Sequence, residues 1–154
     1  MDITSRNNQI VITSEKKEII FATPTSIVLD GMTIDFFGEY EKSGFLASFQ
    51  EIEGKPLFSL RVEGKNIAYI PTDTLEITEK VVDFLGNIDV LILPGNKNAT
   101  KIFENLEARM VVPYGEETPI FLSSLGQNIE MVDKFKTKES DFESETTTFV
   151  RVGN

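Results

Sequence analysis

Four carboxylates in the first half of the chain, Asp35, Glu39, Glu41 and Asp73, are the side chains best suited to chemistry. Grouped, they could form an oxygen-only Mg²⁺ or Ca²⁺ site, or a paired general acid and base of the glycosidase kind. Charged residues make up 26% of the chain, so such pairs arise readily by composition, and solvated or turn-capping roles are the simpler reading. Gly38-Glu39-Tyr40-Glu41 reads in the same way, as a strand end shaped by Gly38 with Tyr40 packed against it. Pro94-Gly95-Asn96-Lys97-Asn98 precedes a predicted helix, and Lys97 and Lys101 could add weak anion binding there, although the spacing is that of a plain cap and not of a phosphate loop. Ser26 and Ser123-Ser124 have no partner base and read poorly as nucleophiles.

The absent residue types exclude more than the present ones suggest. Zero cysteines rule out a disulfide framework, a thiolate zinc site and a cysteine nucleophile. Zero histidines rule out a Ser-His-Asp triad, an imidazole base near neutral pH, and an ordinary zinc or non-haem iron centre. With 25 acidic against 15 basic residues the formal charge is −10, which argues against a nucleic-acid partner, because phosphate binding depends on basic clusters. The chain start lacks the charged segment and apolar run of a signal peptide, and no apolar stretch approaches the ~20 residues that span a bilayer. The expectation is a cytoplasmic protein with no membrane partner.

The elements that must position these residues fall into two halves of one domain, residues 1–154, with 40% apolar content and 12 Phe to fill a core. Short strand-like runs come first: Gln9 to Thr13 and Glu18 to Ala22 around Ser14-Glu15-Lys16-Lys17, then Ser26 to Leu29 and Met32 to Phe36 around the hairpin signal Asp30-Gly31. Gly44 to Phe49 follows, and Leu57 to Val62 and Asn66 to Ile70 pair across Glu63-Gly64-Lys65. After Pro71 the spacing turns helical. Val81, Val82 and Leu85 form a stripe over a helix at about Glu79 to Leu85, with Thr78 as N-cap and Gly86 as terminator. Ile88 to Leu93 is the continuous apolar run of a strand covered on both faces. Asn98 caps a second helix, Ala99 to Leu106, before the strand Arg109 to Val112 and a last strand-like stretch, Thr146 to Val152. The fold class is α/β, a β-α-β-α-β segment laid onto earlier strands as a layered sheet with outer helices.

Gly38-Glu39-Tyr40-Glu41, Lys65 to Asp73 with its Thr72-Asp73-Thr74 turn, Ile88-Asp89-Val90-Leu91-Ile92-Leu93-Pro94 and Met110-Val111-Val112-Pro113 carry a resemblance in order and spacing. Together they resemble the small bacterial metallo-β-lactamase-fold hydrolases of the UlaG-like type, with Met1 to Pro24 similar to that family's first hairpin and Asp133 to Val152 to its closing segment. The resemblance implies an αββα sandwich. It also implies a di-metal site held by a His-x-His-x-Asp-His loop, a bridging Asp and a final His. Here the chain passes from Pro24 into Thr25 to Leu29, so the metal loop reads as deleted; Asp73 is nearest to the bridging Asp, and Gly115 stands about where the last His belongs. Asp73 is thus the one candidate metal ligand, and neither a catalytic residue nor a cofactor is expected.

Losing that segment would uncover apolar sheet surface near the cluster Phe36-Phe37, Tyr40, Phe45 and Phe49. The sequence therefore points to a non-catalytic relative that works by self-association or by binding another protein, through Phe36, Phe45 or Phe49. The competing reading is a divergent hydrolase or small-ligand binder with a carboxylate-only site around Asp73 and Glu39.

Overall fold

A computed structural model describes residues 1–22 and 25–153. In chain order the strands are β1 (Asp2–Arg6), β2 (Gln9–Ser14), β3 (Lys17–Ala22), β4 (Ser26–Leu29), β5 (Met32–Ile34), β6 (Gly38–Lys42), β7 (Phe45–Ile52), β8 (Lys55–Val62) and β9 (Lys65–Tyr69). Helix α1 (Glu79–Leu85), β10 (Ile88–Pro94), α2 (Thr100–Glu104), β11 (Ala108–Tyr114), α3 (Thr118–Ser124), β12 (Lys134–Lys136) and β13 (Thr148–Phe149) complete the set. Thr23 and Pro24, where the resemblance ends the first hairpin and places the lost segment, lie outside the described residues.

Two sheets form. The first is antiparallel, ordered β12-β1-β2-β3-β4-β5; the second is mixed, ordered β13-β11-β10-β9-β8-β7-β6, with β9, β10, β11 and β13 parallel. Six hairpin loops have only two residues, and each places both at positive φ, as at Asp30-Gly31 (φ 46 and 86) and Glu63-Gly64 (φ 54 and 77). That backbone twist matches the right-handed twist of paired strands. The loop at Glu15-Lys16 takes it without glycine, which is why a longer turn is read there from sequence.

Between the sheets lies a core of Ile3, Ile12, Ile19, Phe21, Phe45, Phe49, Phe58, Tyr69, Ile92 and Val112. A second core forms between the outer face of the mixed sheet and the helices, where Leu57, Leu91, Leu93 and Val111 meet Val81 and Leu85 of α1, Ile102 of α2, and Phe121 and Leu122 of α3. β10 supplies both cores in alternation, so its apolar run is covered on both faces as its composition demands.

Several expectations change. The helices that build a core all lie on one outer face, so the described residues make three layers and do not complete an αββα order. On the bare face of the first sheet Val11 is nevertheless fully buried. The registers place it opposite Thr4 and Ile20, on the diagonal between Arg6 and Glu18, and their ion pair crosses over it.

Phe45 and Phe49 are corrected as interface candidates: at 4% and 3% exposure they belong to the inter-sheet core, because odd-numbered positions of β7 face the first sheet. Gly38 to Glu41, expected only to shape a strand end, makes up most of β6. The last strand contracts to Thr148–Phe149 plus a bridge from Val152 to Val132. Sequence periodicity misses β1 and α3; α3 spans two turns and opens on Pro119, a residue the first turn tolerates. Helix α1 has the expected bounds, and Gly86 ends it at φ 63 with its N–H donating to Val82 O at 2.9 Å. Thr78 occupies the N-cap position in extended conformation, but its buried hydroxyl makes no hydrogen bond.

Candidate functional site

The parallel strands β9, β10 and β11 end side by side, and each hands its chain to a polar turn at the same edge. Ligands of sheets with parallel strands collect outside such carboxyl ends. The turns are locked together. Gly95 N–H donates to Tyr114 O at 2.6 Å, extending the ladder past the strands. A Cβ on Gly95 would stand 2.5 Å from Thr118 Oγ1 and 3.0 Å from Thr118 Cα, so only glycine fits between these turns.

Asp73 is the centre of this edge. Its Oδ2 accepts hydrogen bonds from Asn96 Nδ2 at 3.0 Å and Asn98 Nδ2 at 3.3 Å. The Asn96 amide has a fixed orientation, because its Oδ1 accepts from Ala99 N–H at 3.0 Å and so turns the NH₂ toward Asp73. Asn98 is therefore not the helix cap expected of it: Ala99 holds the cap position, Asn96 satisfies its N–H, and Asn98 serves Asp73.

Tyr114 stands beside the carboxylate, and Tyr69 stands beside Tyr114. Burial, assisted by the charge of Asp73, pushes Tyr114 up to about 12. Burial raises Tyr69 further still, and its hydroxyl donates to Ala22 O at 2.8 Å. Both rings continue an aromatic series through the core: Tyr114 to Tyr69 at 6.3 Å, Tyr69 to Phe58 at 5.4 Å, Phe58 stacked on Phe49 at 4.0 Å, and Phe49 edge-on to Phe37 at 4.8 Å. Phe37 emerges half-exposed at the rim beside Phe36, which is 76% exposed.

The remaining sequence candidates are placed apart. Glu39 accepts from Ser48 Oγ on the outer face of β6, and the registers Glu39–Ser48–Ser59–Ala68 put three strand spacings, roughly 14 Å, between it and β9. Glu39 and Asp73 do not form a pair, and Glu41 shares the distant face. Asp35 is exposed in the β5–β6 connection. Lys97 is exposed at the start of α2, Lys101 on its surface, and Ser124 donates to Ile120 O within α3.

Sequence reasoning misses the cavity next to Tyr114. It holds about 450 Å³ between the β1–β2 turn and the end of β11, with Ser5, Asn8, Ile10, Tyr114, Glu116 and Arg151 on its walls. Tyr114 directly precedes Gly115, the position the resemblance singles out, and that adjacency was the available signal.

A solved structure matches this arrangement from end to end. It is a protein of Thermotoga maritima described as a Zn-dependent hydrolase of the metallo-β-lactamase superfamily, 18% identical, aligned over 99% of this chain and 98% of its own, with a TM-score of 0.71. The chain has the metallo-β-lactamase fold. No family model matches the sequence, and no curated protein matches it significantly. The metallo-β-lactamase fold accounts for the two facing sheets, and the mutual coverage gives no sign of a lost segment. Among the described residues no helix is long and apolar enough to cross a membrane.

The fold raises the question of zinc, and the donor set does not fit it. Zinc sites in proteins draw on imidazole, thiolate and carboxylate in groups of three or four, and this chain has neither imidazole nor thiolate. Among the described residues no three Asp or Glu side chains converge as a ligand group. Asp73 Oδ2 faces two N–H donors, the opposite of what a cation needs around it.

Proposed function

We propose that this chain is a non-catalytic protein of the metallo-β-lactamase fold that acts by association, with a second copy of itself or with another protein. The observation that carries the reading is the pair of amides on Asp73. An oxygen standing where the resemblance places a metal ligand instead accepts from Asn96 and Asn98, so the one candidate ligand is met by N–H donors. An origin among metallo-β-lactamase-fold proteins of the UlaG-like type is the one we infer.

The association surface is centred on Phe36 and Phe37 at the rim of the same edge. Their exposure, 76% and 52%, is unusual for large aromatics, and an apolar centre with a charged rim suits a chain of charge −10. Static light scattering at tens of micromolar tests this. The wild type should run as a dimer or larger, and the double variant F36S/F37S should shift toward monomer while keeping its circular dichroism. A strictly monomeric wild type overturns self-association. Stoichiometric bound transition metal, together with turnover of a phosphodiester or a lactone, overturns the non-catalytic reading.

A further inference from the structure

We propose that the cavity beside Tyr114 binds a small organic monocarboxylate, with Arg151 as its anchor. This site is separate from the Phe36 rim and holds whether or not the chain self-associates. Its size, about 450 Å³, lies within the range of ligand pockets.

The second observation is the accounting of arginines. The chain has four. Arg6 pairs with Glu18, Arg61 donates to Asn66 Oδ1 at 2.8 Å, and Arg109 donates to Ser144 O at 2.7 Å. Among the described residues the guanidinium of Arg151 has no such partner, although acidic side chains outnumber basic ones by 25 to 15. A planar guanidinium matches a carboxylate through two parallel N–H···O bonds.

The other walls narrow the ligand class. Ser5 and Asn8 line it with a hydroxyl and an amide, groups of the kind that bond to carboxylate oxygens, while Ile10 offers an apolar surface for the body of the ligand. Glu116 stands at the same cavity and repels a dianion more than a monoanion, so phosphate is disfavoured against a carboxylate.

Amide chemical shifts of ¹⁵N-labelled protein, titrated with sodium benzoate and separately with inorganic phosphate, test the site. Benzoate should move the amides of residues 5–10, 114–118 and 151–153 saturably, and phosphate should move them less. R151Q should weaken benzoate about tenfold, as loss of a charge-assisted pair does. R151K, which keeps the charge and loses the fork, should fall between the two and keeps the test readable if R151Q folds poorly. E116Q should tighten binding. No saturable shift at these amides up to about 20 mM benzoate, equal affinity in R151Q, or phosphate binding as tight as benzoate overturns the proposal.

Discussion

At one end of the sandwich the two-residue loops at 15–16, 30–31, 43–44 and 63–64 are tied to one another by side chains. Ser14 donates to Glu63, Ser43 to Asp30, Lys17 to Ser43 O at 3.4 Å, and the amino group of Met1 lies 3.4 Å from Glu63. At the other end the connections after β9, β10 and β11 are longer; they hold Asp73 and its two asparagines, and a cavity lies beside them. The closed end spends its polar groups on each other across the two sheets. The open end spends Asn96 and Asn98 on one carboxylate and leaves Arg151 and the phenol of Tyr114 beside a void. Tight turns suffice to join strands, so the longer loops are where a fold of this kind has room for function.

Breaking the open end should have the larger effect. Gly95→Ala places a methyl group against Thr118 Oγ1 and the Thr118 backbone, and the turn and the start of α3 must separate to admit it. Denaturant unfolding should register a loss of about 1–3 kcal/mol, in the range of overpacked cores. Gly153→Ala is the control. Its Cβ would meet the flexible side chain of Met131, which can swing away, so the loss there should be markedly smaller.

The closed end should show itself in pH dependence. The hydrogen bond from Ser14 holds the Glu63 carboxyl below the usual glutamate range, with the amino terminus acting in the same direction. The native state therefore binds this proton less readily than the unfolded chain does. The stability gained is present above the ordinary glutamate pKa and is lost as pH falls through the lowered native value. Melting temperatures of wild type and Glu63→Gln, compared from neutral pH down through that range, should converge at the acid end. A constant gap across the whole range would detach the effect from Glu63 ionisation.

The same contrast explains what could be read from the chain. The closed end was legible because Asp30-Gly31 and Glu63-Gly64 are local signals flanked by alternating apolar residues, and local sequence is enough to set a hairpin. Ile88 to Leu93 was legible because burial on both faces leaves no polar positions. The open end was only half legible. Asp73 stood out by position, but its partners Asn96 and Asn98 lie more than twenty residues away and looked like ordinary helix-capping residues. Phe45 and Phe49 were misplaced because residue type alone does not say which face of β7 meets the other sheet; Phe36 and Phe37, in the irregular connection just before β6, stayed outside. The Arg151 cavity joins residues from both termini and had no local signature.

Zinc titration followed by differential scanning calorimetry tests the central claim about Asp73 most directly, since a ligand of the native state raises the melting temperature by an amount that grows with the logarithm of its concentration over Kd. Micromolar zinc should leave the melting temperature of the wild type unchanged, and Asp73→Asn should respond identically. A zinc-dependent rise in the wild type that Asp73→Asn abolishes would contradict the account.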